Sequence, residues 1–246
     1  MEKSTAHHLV GRLLLERFRS PEELAGAAAH QWLHELASLA VGDYYAAISG
    51  GRIARQFLAD VANGARDCET SLARVHFFWA DERCVPPDHP ESNFRLAQEQ
   101  LFRPASIPSE HVHRIRGEES PARAAEVASA EVCLIVPRNR KGWPVFDIIF
   151  LGMGEDGHVA SLFPPVDPVP ARQVFLDVVA SKPPPFRITL CYEAIAAAKQ
   201  VWVVASGPGK EKALRDSVSA HGQTPLAHVI QSREETRILT DILSDI

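Results

Sequence analysis

Asp147-Ile148-Ile149-Phe150-Leu151-Gly152-Met153-Gly154-Glu155-Asp156-Gly157-His158 decides the fold class. Five of the six residues from Ile148 to Met153 are apolar, the pattern of a strand covered on both faces of a parallel sheet. Three glycines in the next six positions, counted from Gly152, then permit backbone geometry that other residues resist. In an open α/β sheet, such a turn at the carboxyl end of a strand is where ligands bind. The carboxylate of Asp156 and the imidazole of His158 sit in that turn, so the pair is a candidate site.

Outward from this strand the same alternation recurs. Leu13 to Phe18 reads as a first strand. Ser20-Pro21-Glu22-Glu23 starts a helix, with Ser20 as cap, Pro21 at the first helical position and Glu23 completing a capping box. That helix is expected to reach about Leu39, with Leu24, Ala28, Trp32, Leu36 and Leu39 on one face. Tyr44–Ser49 and Val75–Ala80 read as strands, with a helix between them through Phe57 and Val61. A loop rich in proline and charge follows, then a helix from near Ser92 to Leu101 and another over Ala122–Ala130. Gln173–Val179 reads as a strand. Arg187-Ile188-Thr189-Leu190 leads into a helix over Tyr192–Ala198. Val201–Ala205 is a buried strand, Pro208–Val218 a helix and Thr236–Thr240 a last strand. Strands alternating with helices predict βαβ units. The expected fold is α/β: one doubly wound, mainly parallel, Rossmann-like sheet with helices on both faces. The proline-rich stretches Pro164–Pro170 and Pro183–Pro185 are too short for linkers, so residues 1–246 are expected to form a single domain.

Composition excludes several function classes. The chain has 246 residues, 46% of them hydrophobic and 23% charged, and a net charge of −5, so nothing predicts an electrostatic grip on nucleic acid. A local cationic pocket for a small anion remains compatible with that balance. Cys68, Cys84, Cys133 and Cys191 are far apart, with no Cys-x-x-Cys pair. Reduced thiols in a cytoplasmic protein are expected. No apolar run approaches the ~18 residues that span a bilayer, and the N-terminus, with His7 and His8, lacks a signal pattern.

Several other junctions carry polar residues. Ser49-Gly50-Gly51 lies between a strand and a helix, where free N–H groups and the helix dipole favour phosphate; an ordinary tight turn fits the same residues. Asp81 and Arg83, two apart after a buried strand, can point to one side; a solvated loop with a local ion pair fits them as well. Ser92-Asn93 reads as a helix cap. Arg187 and Lys210 lie at element junctions, either as surface cations or as counter-charges for a phosphate, arginine as a bidentate fork and lysine as a point charge. Asp156 and His158 have no third ligand at a metal-site spacing, so no metal is expected.

Gly152-Met153-Gly154-Glu155-Asp156-Gly157-His158-Val159-Ala160-Ser161-Leu162-Phe163-Pro164 resembles the signature of 6-phosphogluconolactonases. The resemblance continues, in family order, through Ser49-Gly50-Gly51, Asp81-Glu82-Arg83-Cys84-Val85-Pro86, Ser92-Asn93, Pro184-Pro185-Phe186-Arg187-Ile188-Thr189-Leu190 and Gly207-Pro208-Gly209-Lys210. It implies hydrolysis of 6-phospho-D-glucono-1,5-lactone in the oxidative pentose phosphate pathway, without metal or organic cofactor. The implied partner is a small sugar-phosphate lactone, with no nucleic acid and no membrane, on a monomer or weak homodimer in the cytoplasm. A neutral imidazole is a suitable general base at neutral pH. His158 is therefore expected to deprotonate water and Asp156 to orient His158. Arg83 is expected to bind the lactone or its oxyanion, and Asp81 to position Arg83 or a sugar hydroxyl. The phosphate is expected on Ser49, Gly50 and Gly51, with Arg187 and Lys210 supplying charge.

The chain departs from the family at one place. After the glycines the family usually shows Ser or Thr followed shortly by Pro, whereas this chain has Arg52-Ile53-Ala54. Arg52 either replaces the missing hydroxyl with a guanidinium or points to solvent. Two rivals share the resemblance. Glucosamine-6-phosphate deaminases typically continue the Asp-Gly-His block with Asn-Glu-Pro, where this chain has Leu162-Phe163-Pro164 and no carboxylate. A non-catalytic sugar-phosphate sensor would bind without turnover.

Overall fold

The computed structural model describes residues 12–39, 42–67, 72–166 and 170–242. His7, His8, Cys68 and part of the Pro164–Pro170 stretch lie outside the described residues. Six strands form one parallel sheet: β1 (Arg12–Arg17), β2 (Tyr44–Ile48), β3 (Val75–Trp79), β5 (Ile148–Gly152), β8 (Gln200–Ala205) and β9 (Glu235–Thr240), in the order β1-β9-β8-β5-β2-β3. Ile148, Ile149, Phe150 and Leu151 are all buried. Alternate side chains of a strand point to opposite faces, so both faces of β5 are covered, as its apolar run predicts.

The two faces are packed by different aromatic side chains. On one, Trp32 of α1 (Pro21–Ser38) and Phe57 of α2 (Arg52–Asp67) meet Phe150 at ring-centroid distances of 5.0 and 4.7 Å. On the other, Phe78 of β3 meets Phe146 edge-on at 5.5 Å. Each such side chain, fully buried, contributes ~1.5–3 kcal/mol of hydrophobic stabilisation. The helix α2 buries Phe57, Leu58, Val61, Ala62 and Ala65, the spacing of one helical face. Ser20 caps α1 by accepting a hydrogen bond from Glu23 N–H. The Glu23 carboxylate reaches one residue further back than a capping box requires, to the N–H of Arg19. Leu39 is not on the buried face of α1: it is the residue after the helix, in extended geometry, and 43% exposed.

A second sheet departs from the single-sheet expectation. β4 (Asp81–Arg83), β6 (Phe175–Val179) and β7 (Phe186–Leu190) pair antiparallel in the order β4-β7-β6. The loop expected after β3 thus begins with a strand. Its partner, the Arg187–Leu190 stretch, is more than a hundred residues away, a pairing that no local periodicity signals. Helix α4 (Pro121–Ile135) covers this small sheet. The expected helix from Ser92 is α3 (Asn93–Ala97) running into a π-helical turn over Gln98–Phe102. The helices α5 (Tyr192–Ala197) and α6 (Glu211–Val218) flank β8, and α7 (Pro225–Gln231) is an additional helix before β9.

The chain leaves β2 for β3 on one side and returns to β5 on the other. The ends of β2 and β5 therefore flank the point where the winding reverses, the preferred ligand position in such sheets. Ser49 donates its hydroxyl hydrogen to Phe150 O at 2.8 Å, stapling the two strands together there.

Candidate active site

Past β5 the chain makes a tight turn. Gly154 N–H donates to His158 O at 2.9 Å, and Gly157 N–H to Gly154 O at 3.1 Å. The turn lays Asp156 beside His158: the carboxylate Oδ1 lies 2.5 Å from His158 Nδ1 and accepts the His158 N–H at 3.1 Å. Burial by itself would raise the Asp156 carboxyl, but the hydrogen bonds from the His158 amide and ring, with the imidazole charge, hold it below its ordinary value. A carboxylate can only accept, so Nδ1 carries a hydrogen, and in the neutral ring Nε2 then keeps a free lone pair. Gly154 makes this closeness possible, because a Cβ there would lie 2.1 Å from two atoms of the His158 ring.

His158 lines a cleft of about 480 Å³ at the carboxyl ends of the parallel strands. Ser49, Gly50, Gly51, Asp81, Arg83, Arg187 and Lys210 line it too. Asp156 holds the far side of the imidazole. Of the other residues quoted from the sequence, Asn93 lines the cleft, whereas Ser92 is buried behind it as the cap of α3.

The β3–β4 junction supplies the next group. Ala80 N–H bonds back to Ile48 O at 2.8 Å, while Ala80 O accepts from Leu190 N–H at 2.8 Å, so the chain crosses from the large sheet to the small one. Asp81 is buried, accepting from Ser161 Oγ at 2.7 Å; its backbone carbonyl takes the Asn93 amide at 2.9 Å. Among the described residues no hydrogen bond joins it to Arg83. Glu82 turns the other way and accepts from the N–H groups of Arg83, Asn93 and Phe94 and from Ser92 Oγ. Burial pushes its carboxyl up to about 7 against the pull of those amides. It anchors the start of α3, so that the Asn93 side chain enters the cleft wall. A Cβ on Gly50 would meet Asn93 Oδ1 at 1.8 Å, so that glycine is needed for close approach.

Arg83 donates to Glu91 O at 2.5 Å and forms an ion pair with the Glu91 carboxylate at 3.6 Å. Its Nε is buried without a partner. In the β4–β7 ladder Arg83 sits directly opposite Arg187, so the two guanidiniums share one face of the small sheet. Burial first, and the Arg83 charge second, lower the Arg187 pKa. Two cations held side by side in a partly desolvated wall favour an anion.

Lys210 stands elsewhere, before α6, with Arg52 at the start of α2. Burial and then the Arg52 charge hold the Lys210 ammonium below its ordinary value. Arg187 thus groups with Arg83, and Lys210 with Arg52. Ser49 Oγ spends its hydrogen on Phe150 O and keeps its lone pairs. Sequence reasoning gave no role to Ser161, Ser206 or Asp241. Asp241 fixes the turn after β8 by accepting from Ser206 Oγ at 2.9 Å and Gly207 N–H at 3.1 Å. None of the three stands out by residue type or spacing. Among the described residues no three His, Cys, Asp or Glu side chains gather as metal ligands, and no helix is long and apolar enough to cross a membrane.

The family model described as "Glucosamine-6-phosphate isomerases/6-phosphogluconolactonase" matches residues 19–238. A protein of Streptomyces coelicolor named 6-phosphogluconolactonase is 34% identical over 215 residues, 83% of this chain and 82% of that protein. One of Treponema pallidum with the same name is 37% identical over 189 residues, 73% of this chain and 75% of that protein. The crystal structure of a 6-phosphogluconolactonase from Thermotoga maritima superposes with a TM-score of 0.76 at 26% identity, covering 94% of this chain and 99% of that one.

Proposed function

The chain belongs to the glucosamine-6-phosphate isomerase/6-phosphogluconolactonase family, and from that premise we propose that it hydrolyses 6-phospho-D-glucono-1,5-lactone to 6-phosphogluconate. The observation that carries the proposal is the His158–Asp156 pair, 2.5 Å apart, with the free Nε2 in a cleft that also holds four cations, Arg52, Arg83, Arg187 and Lys210.

The chemistry follows from that arrangement. His158 Nε2 takes a proton from water as the water oxygen attacks C1. The carbonyl electron pair moves onto its oxygen, where Arg83, with Arg187 beside it, stabilises charge that exists only in the transition state and intermediate. Asp156 holds the imidazole in the right tautomer and stabilises the imidazolium. Collapse of the intermediate breaks the bond from C1 to the ring oxygen, and the imidazolium returns its proton to that oxygen. The new carboxylic acid then ionises. Asp81, which Ser161 and Asn93 hold, accepts a hydrogen bond from a sugar hydroxyl in this reading. The 6-phosphate lies on Ser49, Gly50 and Gly51 with Lys210, and holding it there converts binding energy into orientation of C1 over His158. No step calls on a metal or an organic cofactor. Residues 1–246 act as one domain, in the oxidative pentose phosphate pathway of the cytoplasm.

One observation speaks against the deaminase alternative. Phe163 packs on His158 at a centroid distance of 4.8 Å, so an apolar ring borders the imidazole in the stretch where that branch has a carboxylate. Hydrolysis of freshly generated lactone, against buffer and His158→Asn, tests the proposal. Loss of the base is expected to lower kcat by about 10²–10⁴. A His158→Asn protein with near-normal turnover sinks the mechanism. Turnover of glucosamine 6-phosphate alone means the other branch, and binding of 6-phosphogluconate without turnover means a sensor.

A further inference from the structure

Arg52 is the residue that stands where the family usually carries a hydroxyl, and the structure shows where it goes. The strand that leads into it, β2, is not a neighbour of β8: β5 lies between them. Strand spacing sets β2 and β8 roughly 10 Å apart. Yet the Arg52 Nη2 atom lies 3.7 Å from where a Cβ on Gly207 would stand. The guanidinium therefore extends across the end of β5 to the turn that follows β8. Lys210 leaves that same turn, and the Arg52 charge is felt at its ammonium. Neither side chain makes a hydrogen bond or ion pair with another described residue. The carboxylates nearby are Glu155 and Asp241, which act on Lys210 at longer range, and Glu22 and Asp81, which line the same cleft. Asp241 is already committed to Ser206 and Gly207.

Two cations with no counter-charge in contact among the described residues face one space, and each carries its charge into it. A doubly charged ligand between them would neutralise both. From this we infer that Arg52 and Lys210 form a two-cation clamp that bridges β2 and β8 and grips the substrate's phosphate, with Arg52 as the residue that sets selectivity for phosphorylated over unphosphorylated lactones. The inference rests on the proposed lactonase function for the identity of its ligand. Arg52 touches the phosphate and no reacting atom, and Ser49, Gly50, Gly51 and Lys210 still orient the phosphate without it, so its loss falls on binding rather than on the chemical step. Recognition by two long cations is also more sensitive to salt than recognition by a hydroxyl, because the screening length falls from ~10 Å at 0.1 M to ~3 Å at 1 M.

The test compares wild type with Arg52→Ala, Arg52→Lys and Arg52→Ser on 6-phosphogluconolactone and on glucono-1,5-lactone. Removing a charge-assisted hydrogen bond to phosphate predicts a rise in KM of about 10–100-fold for the phosphorylated lactone in Arg52→Ala. Turnover at saturation and the rate on glucono-1,5-lactone stay within about twofold of wild type, and Arg52→Lys recovers part of the affinity. The gap between wild type and Arg52→Ala narrows as salt rises. An unchanged KM, an equal loss on both lactones, or a fall in kcat at fixed KM overturns the inference. Calorimetric binding of 6-phosphogluconate and of gluconate runs alongside and needs no turnover. If wild type hydrolyses neither lactone, the proposed function fails. The clamp then stands only if Arg52→Ala weakens 6-phosphogluconate and leaves gluconate alone, and it falls if both bind as to wild type.

Discussion

Replacing Gly154 with alanine isolates the geometry of the proposed base. The backbone of Gly154 lies outside the left-handed region, so an alanine there meets no conformational strain of its own. Its methyl carbon would stand 2.1 Å from both Cε1 and Nδ1 of His158 and 2.9 Å from Asp156 Oδ1. Carbon atoms in contact settle at about 3.5 Å, so the imidazole has to withdraw by roughly 1.4 Å, the difference between the two figures. The open cleft gives it room to do so. A displacement of about 1 Å at a reacting group costs on the order of 10²-fold in rate, equivalent to about 2.7 kcal/mol of activation free energy. The hydrogen bond that sets the imidazole tautomer is lost or lengthened in the same movement.

The assay is steady-state hydrolysis of fresh lactone, with thermal melting of the same preparation. Turnover is expected to fall about 100-fold while KM stays near wild type, because the cations and glycines assigned to the phosphate are untouched. The melting temperature should move by no more than about 2–4 °C, the size of a 1 kcal/mol change in a domain this large. Adding Gly154→Ala to His158→Asn should cost little more than His158→Asn alone, since both act on one imidazole. A Gly154→Ala protein with kcat within about threefold of wild type would refute the idea that this turn must orient His158 for the reaction.

Two further expectations concern the remote parts of the fold. His76, His113 and Glu131 form a hydrogen-bonded row, with His76 Nδ1 to His113 Nε2 at 2.9 Å, His113 Nδ1 to Glu131 at 3.0 Å, and His111 stacked on His76 at 4.1 Å. Burial first, then the charges of His111 and His113, lower the His76 pKa below 6.5 while Asp43 pulls weakly upward. The unfolded chain thus binds more protons than the native one just below pH 6.5, so stability is lost as pH falls through that window. Denaturant midpoints from pH 7.5 to 5 should decline, and His76→Gln should flatten the decline; equal slopes would remove His76 as the cause. Arg233, buried, donates to the carbonyls of Ile195, Ala196 and Ala198. Arg233→Ala should cost about 2–4 kcal/mol in denaturant unfolding with kcat unchanged, and a fall in kcat without a loss of stability would contradict this purely structural role.

The main sheet was legible because its signals are local. An apolar run buried on both faces reads the same way whatever the rest of the chain does, and β2, β3, β5 and β8 carry runs of this kind. The small sheet was not legible for the opposite reason. The Asp81–Arg83 strand is three residues long and charged, and only Phe186–Leu190, far along the chain, gives it a partner. Leu39 departs from its expected place because the helical period of apolar residues continues past the point where the backbone turns extended. Among the described residues Cys84, Cys133 and Cys191 are free, and burial raises the Cys191 and Cys84 thiols to about 12 and about 11.

The same distinction governs the site. A motif identifies which residues end up in a cleft, because each strand end announces itself, but it does not say which of them become neighbours. Arg187 and Lys210 follow the chain as two similar cations at two similar junctions. Pairing across β4 and β7 assigns Arg187 to Arg83, and the reach of Arg52 over β5 assigns Lys210 to Arg52. Under the proposed reaction the two pairs, which line one cleft, would serve two anions, a phosphate present throughout and a charge that appears only as C1 becomes tetrahedral. Merging all four cations around the phosphate would bind substrate and transition state equally, which lowers KM without raising kcat. Under that proposal, splitting them between two sheets that meet at Ala80 would let one pair hold the substrate while the other responds to the chemistry.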